Sequence, residues 1–141
     1  MRIRTKEIVF DRPEWLDSDM VRLKTQGVTV DSSAVTAGTD GKKIVLSGTP
    51  LGQLENGKYA PCTYDAQTGA WTPAPKGLAY TDVDVTHADA EVALMDWGRV
   101  KVWALPFYAG LGTNKDAAMT ALAKALPGIT FVGYELTWPE G

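Results

Sequence analysis

The feature that most constrains the fold is a succession of short apolar segments separated by glycine- and proline-containing turns between residues 42 and 106. The segments are KKIVLSG, NGKYAPCTYD, GAWTPAP, LAYTDVDVT, EVALMDW and GRVKVWALP. Segments of this length and spacing are typical of the strands of a β-sandwich or a small barrel. We therefore expect an α+β fold in which β-structure dominates, with a small sandwich or barrel-like core.

Apolar and polar residues alternate in the later segments, and this pattern predicts half-buried strands. A period of two places alternate side chains on one face of a sheet. Between the last two segments, the run from Asp96 to Gly98 predicts a hairpin turn. The expected inward-facing residues are Val83, Val85, Val92, Leu94, Val100 and Val102.

One strong helix signal follows, in TNKDAAMTALAKALPG, and predicts a helix over residues 114–126. Thr113 is the expected N-cap, and Pro127 with Gly128 ends the helix. Met119, Leu122 and Leu126 fall on one face. The next segment, ITFVGYELTW, is rich in β-branched and aromatic residues and predicts a C-terminal strand.

The first 41 residues differ in character, so we expect them to form an N-terminal arm and connector beside a β-rich domain of residues 42–141, which includes the helix and the C-terminal strand. Residues 1–30 lack turn signals, and residues 29–41 are small and polar. Leu16, Met20 and Leu23 have helical spacing, although an extended strap fits as well. The apolar side chains of the arm either cover their own domain or reach another subunit.

Composition narrows the range of partners. Lys and Arg number 14 against 17 for Asp and Glu, which gives a net charge of −3 and a pI near 5.1. This balance offers no basic excess for nucleic-acid phosphates. No apolar run approaches the roughly 18 residues of a membrane span, and the first residues do not resemble a signal peptide. We therefore expect synthesis in the cytoplasm and neither a nucleic-acid nor a membrane partner.

Cys62 is the single cysteine of the chain and the first candidate for chemistry. A cysteine nucleophile needs a base within hydrogen-bond reach, and the only histidine, His87, lies about 25 residues away in another predicted turn. Because unpaired cysteine is among the most buried residue types, we expect Cys62 to be a packed side chain.

An acidic stretch, TDVDVTHADAE, is the second candidate. Its oxygen and nitrogen donors are ligand types for a divalent cation. Alternation with valine instead favours the solvent face of a strand, so we expect no metal site, cofactor site or catalytic residue, and no enzymatic activity. An enzyme that uses His87 or this stretch is the third and least favoured hypothesis. The donors are Asp82, Asp84, His87, Asp89 and Glu91.

Aromatic residues are the third candidate feature. The chain has five tryptophans and five tyrosines, and exposed aromatic rings commonly anchor interfaces. Trp97 lies in a predicted turn and Trp138 near the C-terminus, so both are candidate interface residues. The same rings support an alternative function, a carbohydrate- or peptide-binding β module.

Residues 44–105 resemble the lambda-type head-decoration proteins of tailed bacteriophages. The matching pattern is a glycine-bounded GTPLG, then GKYAPCTYD, an AYTDVDVT strand and a closing GRVKVWAL. The helix and strand over residues 113–138 have no counterpart in this pattern.

This resemblance implies a β-rich, capsid-stabilising protein that forms a homotrimer on the outer surface of an expanded phage head. The expected partners are the major capsid protein and other copies of the chain, and the expected location is the virion surface. An N-terminal segment that orders on the capsid is also implied by the resemblance, in agreement with the predicted arm. The expected capsid or inter-protomer contacts in the arm are Ile3, Ile8, Phe10, Trp15, Leu16 and Met20.

Overall fold

The structure is a computed structural model that describes residues 13–17, 21–23, 27–133 and 137–138. The α-helix α1 (Lys115–Ala125) follows directly on a 3-10 segment, Ala109–Asn114, and shorter 3-10 turns lie at Ser32–Ala34 and Val102–Ala104. The mixed, β-dominant fold class predicted from the sequence is thereby confirmed. The strands are β1 (Arg22–Leu23), β2 (Val28–Val30), β3 (Ile44–Val45), β4 (Pro50–Gln53), β5 (Tyr59–Pro61), β6 (Thr63–Asp65), β7 (Ala70–Thr72), β8 (Pro75–Ala79), β9 (Val83–Asp84), β10 (Ala90–Val92), β11 (Leu94–Lys101), β12 (Ile129–Val132) and β13 (Thr137–Trp138).

Nine of these strands form one curled sheet in the order β10-β2-β5-β4-β8-β11-β12-β13, with β1 added alongside β11. The pairs β2–β5 and β11–β12 are parallel, and the other pairs in this sheet are antiparallel. Two small ribbons, β3–β9 and β6–β7, complete the β-structure of the described residues.

The central strands of the sheet are buried on both faces. Consecutive residues Leu78 and Ala79 on β8, like Leu94 and Met95 on β11, are at most 2% exposed. Since consecutive side chains of a strand point to opposite faces, each pair contributes to two separate cores. The sheet is therefore covered by α1 on one side and by the β3–β9 ribbon on the other.

The predicted helix is confirmed, and its start differs slightly from the prediction. It begins at Lys115, the cap position is Asn114 rather than Thr113, and no side chain caps it. The preceding 3-10 segment is kinked at Gly112 and extends to Asn114, which leaves Thr113 inside that segment. Met119 and Leu122 are fully buried, as the periodicity predicted.

The predicted hairpin turn at Asp96 to Gly98 is wrong, because β11 runs through it without interruption. The strand changes partners there: its first residues pair with β8 and residues from Gly98 onward pair with β12. A Cβ atom at position 98 would lie 3.2 Å from Met95 Cε and 3.3 Å from Val21 Cγ1. Gly98 therefore allows close packing where β11 changes its partner strand, and it is not part of a turn.

The described part of the predicted arm and connector belongs to the same packed structure as the described residues from 42 onward. Trp15 and Leu16 are 3% and 2% exposed, and Leu16 forms a bridge with Val100. Residues 28–30 lie inside the large sheet. The helical alternative for this region is wrong in its described residues, because Arg22–Leu23 is a strand. Ile3, Ile8, Phe10 and Met20 lie outside the described residues.

Candidate interaction surface

The outward-facing row of β11 presents a large aromatic side chain. Trp97 is 44% exposed, and Arg99 beside it is exposed as well, whereas the intervening Gly98 and the following Val100 are buried. This alternation arises because Val100 faces the core formed with α1, whereas Trp97 and Arg99 face away from it. The strand therefore presents Trp97 on the outside of the sheet.

The indole of Trp97 is supported from two sides. Arg22 of β1 lies directly opposite Trp97 in the ladder. On the other side, a Cβ atom at Gly128 would lie 3.2 Å from Trp97 Cδ1, so the ring packs over the Gly128 backbone. The same backbone accepts a hydrogen bond from the Gly98 amide at 3.1 Å. A side chain at position 128 would displace the ring.

Two ion pairs flank Trp97 along the strand. The Arg22 Nε donates to Asp96 Oδ1 at 2.8 Å, and the Arg99 Nε donates to Asp17 Oδ2 at 2.8 Å. The hydrogen bond that Arg22 donates to Asp96 and the negative charge of that carboxylate raise the pKa of Arg22. Exposed pairs of this kind contribute little to folding, so their main effect here is a charged border.

Together these residues define a surface that we call the Trp97 patch. Tryptophan and arginine are the residue types that most often carry binding energy at protein interfaces, where a polar rim surrounds an apolar centre. The patch has this arrangement, with the exposed indole at its centre and the two ion pairs at its border. Its members are Arg22, Asp96, Trp97, Arg99 and Asp17.

The other tryptophans predicted or found at the surface lie elsewhere. Trp103 is 40% exposed and follows the end of β11 in a 3-10 turn. Trp138 lies opposite Phe131 in β13, but its side chain lies outside the described part of the structure, so its role at an interface stays a prediction.

The acidic stretch is divided among loop contacts. Asp82 accepts the Ser47 amide at 2.6 Å, and Asp89 accepts Lys58 Nζ at 2.6 Å. Asp84 accepts the amide of Thr86 at 2.9 Å and also its hydroxyl. In the described residues, no three His, Cys, Asp or Glu side chains are grouped so that they could hold a metal ion.

Hydrogen bonding lowers the pKa of both Asp84 and Asp89. For Asp84 the donors belong to Thr86, and for Asp89 they are Lys58 followed by the Ser32 amide. Both carboxylates are thereby stabilised in the charged form, in which they hold loops in place.

Cys62 is buried in the core that α1 covers and is 6% exposed. Burial raises the pKa of its thiol to about 12, so almost no thiolate exists at neutral pH. His87, in contrast, is exposed. The prediction that Cys62 is a packed side chain agrees with this environment.

The sequence did not single out Asp31, a nearly buried carboxylate at 9% exposure. It accepts the Ser33 amide at 2.9 Å, the Ser33 hydroxyl at 2.7 Å and Asn56 Nδ2 at 3.2 Å. The local signal was present, because aspartate before two serines is a common cap. The bond from Asn56, 25 residues away, had no local signal.

The ion pairs of the Trp97 patch were likewise missed. Arg22 and Asp96 are 74 residues apart in the chain, and Arg99 and Asp17 are 82 apart. Only the pairing of β1 with β11 brings the first pair together, and no local sequence pattern predicts that pairing.

Comparisons with known proteins add no family assignment. No protein-family model matches the chain, and no curated protein matches its sequence. Among the described residues, no helix is both long enough and apolar enough to cross a membrane.

Proposed function

We propose that the protein is a capsid decoration protein that binds the outer surface of an expanded phage head as a homotrimer and stabilises the head against internal DNA pressure. The observation that carries the proposal is the Trp97 patch, an exposed indole bordered by two arginine–aspartate pairs. The resemblance of residues 44–105 to lambda-type decoration proteins and the β-dominant fold support the same role.

This role requires binding and no chemistry. A protein that binds the expanded shell and not its precursor stabilises the expanded state by mass action. Three linked copies bind more tightly than one, because the second and third contacts are intramolecular once the first has formed. The partners in this proposal are the major capsid protein and two further copies, with no enzyme activity, cofactor, nucleic acid or membrane.

Within the proposal, Trp97 is the anchor of one contact. Truncation of a central tryptophan at an interface commonly costs about 2 kcal/mol or more. Arg22 and Arg99 are already paired with carboxylates, so they border the contact without leaving an unpaired charge when it is buried.

In the same proposal, the apolar residues of the arm have two different roles. Trp15 and Leu16 are buried in their own domain, so they fix the start of the arm and offer little surface to a partner. Any contact with capsid protein or a neighbouring protomer therefore belongs to Ile3, Ile8, Phe10 and Met20. Each would contribute about 1.5 to 3 kcal/mol if fully covered.

Sedimentation with phage heads tests the proposal. The mass of the purified chain is measured by light scattering, and the chain is then sedimented with expanded and with unexpanded lambda-type heads that lack their decoration protein. We expect co-sedimentation with expanded heads alone. Binding to neither form would contradict the proposal.

A variant pair tests the site within that assay. Replacement of Trp97 by Ala is expected to weaken binding by about 30-fold, the factor that corresponds to 2 kcal/mol. Trp103→Ala is the matched control, because it removes an equally exposed tryptophan beyond the end of β11. Equal losses of head binding in both variants would show that binding does not depend specifically on the Trp97 patch.

A carbohydrate- or peptide-binding module is the second candidate, and the exposure of Trp97 and Trp103 favours it. Stacking of a ligand on either indole would change tryptophan fluorescence. Saturable quenching by an oligosaccharide or peptide, together with failure to bind heads, would establish this function in place of capsid decoration.

A further inference from the structure

Asn56 is the only asparagine of the chain that is followed by glycine. It is exposed to solvent in the turn between β4 and β5. Gly57 has a φ of 87°, in the left-handed region that favours glycine, and a Cβ atom there would meet no other atom within 4 Å. Because glycine has no side chain, its amide nitrogen can approach the side-chain amide of the preceding asparagine with little hindrance. This pair of residues is therefore chemically the most reactive amide in the chain.

The turn folds the side-chain amide of Asn56 back toward the main chain. Asn56 Oδ1 accepts a hydrogen bond from the amide of Lys58, two residues further on, at 2.9 Å. This is the arrangement of an Asx turn. The bond orients the side-chain carbonyl and draws electron density from its carbon, as the donors of an oxyanion hole do. The turn thus prepares the Asn56 amide for attack by a neighbouring nucleophile.

Two other hydrogen bonds oppose that attack. The Gly57 amide donates to the carbonyl of Leu54 at 3.0 Å, which occupies the attacking nitrogen. Asn56 Nδ2 donates to Asp31 Oδ2 at 3.2 Å. Asp31 is itself fixed, because it is 9% exposed and its Oδ1 accepts both the amide and the hydroxyl of Ser33. The reaction of Asn56 therefore requires the turn to move away from Asp31.

A second turn in the chain has the same backbone hydrogen bonds but lacks the contact with a distant carboxylate. The Gly41 amide donates to the carbonyl of Gly38 at 2.9 Å, and the Lys42 amide donates to Asp40 Oδ1 at 3.0 Å. Gly41 also has a positive φ, 79°. Within the described part of the chain, the Asp40 side chain makes no further hydrogen bond. Of these two similar turns, only the one at Asn56 is held by another part of the fold.

We propose that Asn56 is a deamidation site and that Asp31 controls its rate in the folded protein. In the first step the Gly57 nitrogen gives its proton to the solvent and bonds to Asn56 Cγ. The bond from Cγ to Nδ2 breaks, and ammonia leaves after taking a proton from the solvent. Water then opens the cyclic imide at one of its two carbonyls, which leaves aspartate or isoaspartate. The reaction needs only water, and the proposal does not rest on capsid binding.

The product would lose the contact with Asp31. Either product carries a carboxylate where the amide now lies, 3.2 Å from Asp31 Oδ2. A carboxylate has no proton to donate at neutral pH, and two like charges at this distance repel each other. Deamidation should therefore release the turn between β4 and β5 from Asp31. Because the lost ammonia is not replaced, released molecules accumulate with time.

The comparison of the two turns within one molecule tests the proposal. Asp40→Asn introduces an asparagine before Gly41, in a turn without the contact to Asp31. The protein is incubated at mildly alkaline pH, folded and in denaturant, and peptide mass spectrometry follows the conversion of each amide into an acid. We expect similar rates at positions 40 and 56 in denaturant. In the folded protein, position 56 should react more slowly by about tenfold or more, the effect of one hydrogen bond to a charged group.

Asp31→Ala should remove this difference and raise the rate at position 56 to about that at position 40. Ser33→Ala is the matched control, because it removes a hydrogen bond to the same carboxylate and leaves the contact between Asp31 and Asn56 in place. Its rate at position 56 should equal that of the protein with Ser33. Thermal unfolding of each variant shows that the rates are compared on folded proteins.

Three results would overturn the proposal. They are equal rates at the two positions in the folded protein, an unchanged rate at position 56 in Asp31→Ala, and no reaction of Asn56 even in denaturant. Asn56→Asp tests the effect of the product's charge and should unfold at a lower temperature than the wild type. An unchanged unfolding temperature would contradict the predicted release of the turn.

Discussion

The indole nitrogen of Trp71 donates a hydrogen bond to the backbone carbonyl of Ala118, at 2.9 Å and out of contact with solvent. This bond joins the β6–β7 ribbon to α1, elements 47 residues apart in the chain. The ring of Trp71 also packs edge-on against Phe107 at a centroid distance of 5.4 Å. One side chain thus connects the helix, the ribbon and the segment that leads into the helix.

Replacement of Trp71 by Phe should lower the free energy of unfolding by about 2 to 4 kcal/mol, through loss of the hydrogen bond and of buried ring volume. Denaturant unfolding measures the change. Trp97→Phe is the control and should change stability by no more than about 0.5 kcal/mol, since Trp97 is 44% exposed. Equal effects in the two variants would contradict a structural role for the Trp71 bond.

Gly77 allows β8 to lie close to β11. A Cβ atom there would lie 2.6 Å from the carbonyl oxygen of Met95 and 2.8 Å from Leu94 Cγ. Gly77→Ala should therefore destabilise the protein by about 1 to 3 kcal/mol, the usual cost of overpacking. Gly110→Ala, at a position with open space around it, is the control. A Gly77→Ala protein as stable as this control would show that the strands separate at little cost.

The carboxylates that hold the loops predict acid sensitivity. Hydrogen bonding lowers the pKa of Asp31 and of Asp89 below the ordinary value of 3.8, so the folded state holds their protons less tightly than the unfolded state. Their contribution is fully present above that value and is lost as the pH falls through the lowered pKa. Stability should therefore decrease as the pH falls below about 4, and it should decrease less in Asp89→Asn.

Glu91→Gln is the control for acid unfolding, because Glu91 is an exposed neighbour on β10. Its stability curve should follow the wild-type curve in shape. If Asp89→Asn gave the same slope as the wild type between about pH 5 and pH 2.5, the assignment of acid sensitivity to this contact would be wrong.

The elements whose signals lie within one short segment of the sequence were predictable from it. Helix α1 was predictable because its periodicity, stop signal and length agree within one segment. The segments with one covered face, such as β9 with Val83 and the second half of β11 with Val100, were predictable from alternation. In β8 and in the first residues of β11 the alternation disappears, because both faces of the sheet are covered there.

Less of the candidate site than of the fold could be predicted from the sequence. Trp97 was predicted to be an exposed aromatic residue, but the reason given was a turn that the structure does not contain. Gly98 suggested that turn, whereas it allows close packing where β11 changes its partner strand. The ion pairs with Arg22 and Arg99 depend on strand pairing across more than 70 residues. Strand β4 was not predicted at all, since PLGQ carries no β-branched residue.

The buried thiol gives a direct chemical test of the core. Burial raises the pKa of Cys62 from 9.0 to about 12, which lowers the thiolate fraction about 1000-fold at pH 8. Reaction with a disulfide reagent should be slower than that of a peptide thiol by about this factor, and ordinary in denaturant. A native rate within about tenfold of the peptide would mean that Cys62 is accessible. Cys62→Ser should leave head binding nearly intact, because the thiol lies outside the Trp97 patch.

Leu16 belongs to the part of the arm that is packed against its own domain and is therefore not available to contact a partner. Its side chain is 2% exposed and bridges to Val100 within the core that α1 covers. Leu16→Ala should therefore cost about 2 to 5 kcal/mol of unfolding free energy, whereas Leu23→Ala, at 37% exposure, should cost less than about 1 kcal/mol.

The same comparison separates folding from binding in the arm. If Leu16 acts only through the core, the folded fraction of Leu16→Ala should bind heads as the wild type does once its lower stability is taken into account. A folded Leu16→Ala protein with lost binding would instead place this leucine in the contact itself. Because Trp15 and Leu16 are covered by their own domain, we expect the first result, and we expect arm-dependent binding to reside in Ile3, Ile8, Phe10 and Met20.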